Sequence, residues 1–199
     1  MKKIRKSAIK NLKGSDEKLR VEWMINNMHH NKTFLHLSNN FDKAEKEKFL
    51  NKLKNDYIDY RKKWKQNLKT AIINNSNGID FNNSKITPQC IDIEVASVCD
   101  LACPHCYRQF ISTPDKIMKK ELAFKLIDQA SELKVPSMKF NWRGEPLLNP
   151  GLPEIIHYAK KKGILETIIN TNATKLDTVM SNKIIDSGLD LMIYSFDGG

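Results

Sequence analysis

The sequence predicts an α/β chain in which a parallel sheet forms part of a barrel, preceded by a basic, mainly helical lead-in. Three observations carry this. From residue 89 onward, short apolar segments alternate with amphipathic ones, the pattern of strand–helix units joined in parallel. The strand segments alternate polar and apolar residues instead of running apolar throughout. Before residue 87 the apolar spacing is helical, among many Lys and Asn residues.

The lead-in is assigned to residues 1–86 and the strand–helix part to residues 87–199. Within the lead-in, Phe49, Leu53, Tyr57, Tyr60 and Trp64 recur at spacings of three or four between Phe41 and Leu68, which places them on one helical stripe. Asn74 to Gly78 breaks that pattern and reads as a linker. The cluster Arg61, Lys62, Lys63, Trp64, Lys65 is expected to be a solvated helix face with Trp64 packed inward. His29 and His30 have no ligand-type partner at useful spacing and are expected on the surface.

In the second part, Cys90 to Ala96 is a first strand. Lys119 to Lys134 is a helix carrying Leu122, Leu126, Ala130 and Leu133 on one face, ending before Pro136. Ser137 to Trp142 is a second strand, and Leu152 to Lys162 a helix stopped by Gly163. Glu166 to Asn170, a short helix over Asn182 to Asp186, and Leu191 to Ser195 complete the series.

Strands of a doubly covered parallel sheet usually read as near-continuous apolar runs. Here Ile91, Ile93 and Val95 alternate with Asp92 and Glu94, and Met138, Phe140 and Trp142 with Lys139, Asn141 and Arg143. Side chains of a strand point to opposite faces, so one face carries acids on one strand and bases on its neighbour. Unpaired burial of those charges would be costly. That face therefore lines a polar cavity where the charges pair, and the apolar face meets the helices. A barrel with a wet centre satisfies this better than a doubly wound sheet.

The chain of 199 residues has 33 Lys and Arg against 23 Asp and Glu, a net charge of +10. Residues 1–90 hold 20 basic and 9 acidic residues, a net of +11, and residues 91–199 hold 13 and 14, a net of −1. The basic excess is confined to the lead-in, which argues against a nucleic-acid groove in the strand–helix part. No stretch approaches the roughly 18 apolar residues of a spanning helix, so no membrane partner is expected. The basic opening lacks the apolar run of a signal peptide, and the expected location is cytoplasmic.

The four cysteines stand at 90, 99, 103 and 106. Three within eight residues are too close for a disulfide framework and suit a metal or cluster site in a reducing compartment. Zinc sites usually take paired Cys-x-x-Cys elements with four ligands. Cys99, Cys103 and Cys106 are spaced by four and three, with no second pair downstream. Cys90 lies at the far end of the strand entering the loop, at about 3.3 Å per residue. Three thiolates on four irons would leave one iron open. Three buried unligated thiols and an adventitious zinc site remain as alternatives.

The string Cys99, Asp100, Leu101, Ala102, Cys103, Pro104, His105, Cys106 resembles the Cys-x3-Cys-x2-Cys motif of the radical S-adenosylmethionine superfamily. Gly144, Glu145 and Pro146 after the second strand are similar to that family's Gly-Glu-Pro element, which meets the methionine amino group. Asn170 to Ala173 is similar to its Thr-Asn turn, and Ser195 to Gly198 to its Ser-x-Asp-Gly element near the ribose and carboxylate. All three follow strands at their C-terminal ends, where barrel enzymes build their sites.

The resemblance covers residues 87–199 and implies a partial (β/α)6 TIM-like barrel, its first four strand–helix units, truncated after the fourth strand. It implies a [4Fe-4S] cluster on Cys99, Cys103 and Cys106, with no catalytic residue beyond these ligands. S-adenosyl-L-methionine would be held by Tyr107, Gly144, Glu145, Pro146, Asn172, Ser195 and Asp197. His105 is given no role. The activity implied is reductive cleavage to a 5′-deoxyadenosyl radical that abstracts hydrogen from a small molecule, sugar or peptide. A flavodoxin or ferredoxin would supply the electron. The strongest likeness is to the branch whose members carry a C-terminal extension with further cysteines, the SPASM group. The competing reading is a non-catalytic iron–sulfur or zinc protein that binds an anionic partner through its basic lead-in.

Overall fold

The computed structural model describes residues 16–73 and 87–196. The expected linker at Asn74 to Gly78 and the candidate Asp197 lie outside the described residues. Four parallel strands, β1 (Cys90–Asp92), β2 (Ser137–Lys139), β3 (Glu166–Thr171) and β4 (Leu191–Tyr194), lie side by side in chain order. Helices α4 (Lys120–Glu132), α5 (Leu152–Lys161) and α6 (Thr178–Ser187) form the crossovers. A doubly wound sheet reverses its strand order at a switch point. The uninterrupted order 1-2-3-4 is that of a barrel wall, and the fold is the predicted α/β partial barrel.

The apolar alternation predicted for the strands is observed through Phe140. Ile93, Val95, Met138 and Phe140 are buried in one core with Ala123, Ile127, Leu152, Ile155, Ile156 and Ala159 of the helices. The buried stripe of α4 keeps Ala130 of the expected face, with Leu126 partly buried against the core, but shifts by one residue at Ala123 and Ile127. Ala123, Ile127 and Ala130 face inward, while Leu122 and Leu133 are about half exposed. Small side chains at 123 and 130 let the helix backbone approach its neighbours closely, which apolar spacing alone does not reveal.

Strand β1 stops four residues, and β2 three residues, before the expected end because other partners capture the backbone. Ile93 N–H still donates to Lys139 C=O at 2.8 Å, but Val95 C=O accepts from Met118 N–H at 2.9 Å and from the Asn149 amide at 2.9 Å. On the β2 side, Asn141 Oδ1 replaces a backbone carbonyl and accepts from Asn170 N–H at 2.8 Å. Helix α6 begins four residues earlier than expected, because Asp177 caps it by accepting from Met180 N–H at 2.7 Å. It ends at Gly188, whose φ of 85° suits a residue without Cβ.

The lead-in comprises α1 (Asp16–Asn26), α2 (Lys32–Leu37) and α3 (Lys43–Ile73). A reciprocal capping box starts α3, with Glu45 N–H on Asp42 Oδ1 at 2.8 Å and Asp42 N–H on Glu45 Oε2 at 3.0 Å. Met24, Met28, Phe34, Leu53, Tyr57 and Tyr60 form a second core that includes Leu165, the residue before β3. Glu166, fully buried at the start of β3, accepts from Tyr57 Oη at 3.0 Å and Tyr60 Oη at 2.9 Å and pairs with Arg20. Thr33 Oγ1 donates to Ile164 C=O at 2.7 Å, and Asn31 Nδ2 to Asp190 Oδ1 at 2.9 Å. Asp190 in turn pairs with the buried Lys160 at 2.6 Å. These helices close the N-terminal end of the sheet, where barrels keep their stabilising contacts.

Two expectations for α3 need correction. Trp64 is 41% exposed, resting edge-on against Tyr60. Arg61 is not on a solvated face: its guanidinium lies over the Tyr60 and Trp64 rings and comes within 3.9 Å of Glu166. The buried carboxylate draws the cation inward, and Trp64 covers it from outside. His29 and His30 are exposed, as expected. Among the described residues no helix is long and apolar enough to cross a membrane.

Candidate active site at the C-terminal ends of the strands

Cys99, Cys103 and Cys106 occupy a loop that leaves the segment after β1 and returns to it. Its base is closed by the antiparallel bridge between Ala96 and Ile117, and by Ser97 Oγ, which accepts from Lys116 N–H at 2.8 Å and donates to Pro114 C=O at 2.8 Å. Within the loop, Cys106 N–H donates to Cys103 C=O at 3.0 Å across Pro104 and His105. A 3-10 turn over Tyr107–Phe110 follows, and Arg108 pairs with Asp115 at 2.8 Å to brace the return. Pro104 fixes one φ in this turn and narrows the loop's freedom before any ligand binds.

Cys99, Cys103 and Cys106 are half-buried free thiols that line a single cavity of about 820 Å³. Tyr107, Gly144, Glu145, Asn172 and Ser195 line the same cavity, so the structure gathers these sequence-predicted residues from the ends of all four strands. Pro146 does not line it; buried behind the wall, it opens the 3-10 turn Pro146–Leu148. Cys90 is also absent from the cavity, and burial pushes its thiol up to about 11. A second cavity of about 600 Å³ at the opposite end of the sheet has no cysteine in its lining.

Glu145 is only 2% exposed, yet it belongs to the wall. Oε1 accepts from Leu147 N–H at 3.0 Å and Thr171 Oγ1 at 2.6 Å, and Oε2 from Asn172 N–H at 2.8 Å. A carboxylate offers about four lone-pair positions, so one on Oε2 is left for a further donor. Gly144 is where the turn after β2 presses on the cysteine loop. A Cβ there would collide with the carbonyl oxygens of Ala96 and Val98, and Glu145 N–H donates to Val98 C=O at 2.9 Å.

The expected charge pairing across the polar face is present at one place. Arg143 Nε donates to Glu94 Oε1 at 2.7 Å, the second guanidinium nitrogen bonds Oε2, and Arg143 N–H adds a contact at 3.1 Å. This bidentate pair holds the Glu94 carboxyl below the usual range, chiefly through the Arg143 side-chain hydrogen bonds, and raises Arg143. Asp92 instead accepts from the Cys90 thiol at 3.7 Å.

Several residues of the site escaped sequence reasoning. Trp142 does not continue the apolar face of Met138 and Phe140: the chain leaves the strand after Lys139, and Trp142 is 62% exposed beside the cavity. Asn170 also lines the cavity, with its solvent-excluded Oδ1 left without a hydrogen-bond partner. Asp100 receives Asn172 Nδ2 at 3.0 Å and Thr174 Oγ1 at 2.5 Å, with Lys175 at 3.6 Å. The Thr174 hydrogen bond is the main reason its carboxyl lies below the ordinary range. Asp100 and Asn170 stand inside segments that carry the resemblance, but what each residue does is defined by which loops meet.

Among the described residues no three His, Cys, Asp or Glu side chains converge on a single metal-ion position. The donor set fits a cluster and its nucleotide in three respects. Three soft thiols share one cavity, a polar donor approaches one of them, since Asn172 Nδ2 lies 3.8 Å from Cys99 Sγ, and two acceptors, Glu145 Oε2 and Asn170 Oδ1, have capacity for donors on a bound molecule.

Comparison with known proteins bears on this geometry. Residues 93–199 match the family model described as the Radical SAM superfamily. An Fe-coproporphyrin III synthase of Methanosarcina barkeri is 36% identical over 104 residues, 50% of this chain and 25% of that protein. A tungsten-containing aldehyde ferredoxin oxidoreductase cofactor-modifying protein of Pyrococcus furiosus is 32% identical over 108 residues, covering 53% and 30%. A GTP 3′,8-cyclase of Chlorobaculum tepidum is 32% identical over 108 residues, covering 54% and 32%. The chain thus spans a quarter to a third of the length of these relatives. The crystal structure of BtrN in complex with AdoMet and 2-DOIA shares the fold, with a TM-score of 0.51 at 23% identity over 56% of this chain and 47% of that one. The family model covers more than half of the chain and begins on β1's extension into the cysteine loop, and the chain belongs to the radical SAM superfamily.

Proposed function

We propose that this chain belongs to a cytoplasmic radical S-adenosylmethionine enzyme, with Cys99, Cys103 and Cys106 holding a [4Fe-4S] cluster and the cavity beside them receiving S-adenosylmethionine. The observation that supports this best is the convergence of the three thiols with Gly144, Glu145 and Ser195 on one cavity. When bound, the cluster and S-adenosylmethionine supply a one-electron reductive cleavage that yields a hydrogen-abstracting radical. Everything else is done by the chain's own groups.

The thiolates anchor the cluster on a loop already closed by the Ala96–Ile117 bridge and Ser97. The remaining acceptor position of Glu145 receives the methionine ammonium, and Gly144 keeps the turn close enough for backbone groups to reach it. Tyr107 packs against the base, and Ser195 with Asp197 takes the ribose and carboxylate, as the resemblance implies. Pro146 acts indirectly, by fixing the turn behind Glu145. The Glu94–Arg143 pair balances charge inside the wall, so that Arg143 brings no unpaired cation to the cavity. The substrate is a small molecule, sugar or peptide, and the electron comes from a flavodoxin or ferredoxin.

Anaerobic reconstitution tests the reading. About four irons per chain, a cluster signal altered by added S-adenosylmethionine, and loss of both with serine at Cys99, Cys103 and Cys106 are expected. Uptake of one zinc per chain without iron would instead support a non-catalytic metal protein.

A further inference from the structure

We propose that Asn172 is a positioning residue for the cluster: its side-chain amide, aimed by Asp100 and Thr174, donates an N–H···S hydrogen bond to Cys99 and so raises the cluster's reduction potential. This rests on the cluster-holding role given above, and differs from the nucleotide contact that the sequence resemblance implies for Asn172.

Asn172 Nδ2 stands 3.8 Å from Cys99 Sγ and 3.0 Å from Asp100 Oδ1, and an amide NH2 has two protons to share between them. Which end of the amide is nitrogen is fixed by the neighbours. The other end lies 3.0 Å from Thr174 N, a backbone N–H that can only donate, so that end must be the oxygen. Nitrogen therefore faces the sulfur. Thr174 Oγ1 holds the second oxygen of Asp100 at 2.5 Å, and Lys175 balances the carboxylate's charge from 3.6 Å.

The backbone is equally constrained. Asn172 N–H is bound to Glu145 Oε2 at 2.8 Å, and Ala173 N–H to Thr171 Oγ1 at 3.0 Å. Ala173 sits at φ 63°, a conformation that disfavours a residue with a Cβ. Such strain persists only where surrounding contacts over-determine it. The turn after β3 is thus held rigidly against the first cluster ligand from both sides. A donor on a cluster sulfur stabilises the reduced state, which carries one more negative charge, and hydrogen bonds to sulfur are among the factors that set the potential of such clusters.

The test is a redox titration of the reconstituted full chain against Asn172→Ala, a neutral change that removes the donor. The variant is expected to retain its iron and to show a roughly tenfold lower reduced-to-oxidised ratio at a given poise, about 59 mV more negative for one electron. An unchanged potential in a fully loaded variant overturns the proposal. As a second measurement, wild-type protein labelled with 15N in its asparagine amides should show a nitrogen hyperfine coupling to the reduced cluster; its absence overturns the proposal even if the variant takes up no iron. Failure of the wild type to take up iron would sink the cluster reading itself and is a separate result.

Discussion

The Thr171 hydroxyl donates to the Glu145 carboxylate at 2.6 Å, joining the end of β3 to the turn after β2. Both residues are 2% exposed, and the same carboxylate receives the N–H groups of Leu147 and Asn172. A wall residue of the cavity is therefore also a structural knot. Glu145→Ala should destabilise the protein by about 3 kcal/mol, because buried donors lose a charged acceptor. Urea denaturation of the variant beside wild type measures this, and Glu145→Gln should recover only part of the loss.

Glu166 holds the lead-in against the sheet. It is fully buried and takes Arg20, Tyr57 and Tyr60. Removing one partner of a buried charged network costs about 3–5 kcal/mol. Glu166→Ala should lose stability on that scale and expose α3 to limited proteolysis, while the cysteine loop at the other end keeps its iron uptake.

Stability should fall on mild acidification. His36 and His157 meet edge to face with centroids 4.8 Å apart, and both are held below the ordinary histidine value, first by burial. The neighbouring cations Lys32 and Lys161 act in the same direction on both, and Lys160 on His36. The unfolded chain binds these protons at pH values where the folded chain does not. Stability is therefore complete above the unfolded value of about 6.5 and declines as pH falls below it. Thermal unfolding between pH 7.5 and 5.5 should show this decline, and His157→Phe should reduce it.

Cys90 should behave unlike the loop cysteines. With its thiol pushed up to about 11, its thiolate fraction at pH 8 is on the order of a hundredfold below that of an ordinary free cysteine. Alkylation of the metal-free protein followed by mass spectrometry should find Cys90 modified that much more slowly than a model thiol. Cys90→Ser should leave iron uptake unchanged.

Gly144 has no room for a side chain, since a Cβ would strike the Ala96 and Val98 carbonyls, backbone groups that cannot swing away. Gly144→Ala should separate the β2 turn from the cysteine loop and reduce iron uptake several-fold, with a stability loss of about 1–3 kcal/mol from overpacking.

Much of this was legible in the sequence. The period-two alternation from Ile91 to Val95 and from Met138 to Phe140 marks a sheet with one apolar face, and that face is buried against the helices. The spacing of Cys99, Cys103 and Cys106 fixes them on one short loop whatever the remainder of the fold does. Such features depend on neighbours a few residues away, whose geometry is set by chain connectivity.

Other features depend on residues far apart in sequence, and only the tertiary structure decided them. Nothing local shows that Glu166 would bind residues of the lead-in more than a hundred positions away, that Asn172 would reach Cys99, or that α4 would turn Ala123 inward and Leu122 outward. Apolar spacing fixes which residues share a stripe to within about one position, and the close approach of backbones selects among the candidates. The sequence by itself determined the chemistry available, three thiols and a carboxylate at strand ends; packing decided which donors and acceptors were already taken, and so which remain for a ligand.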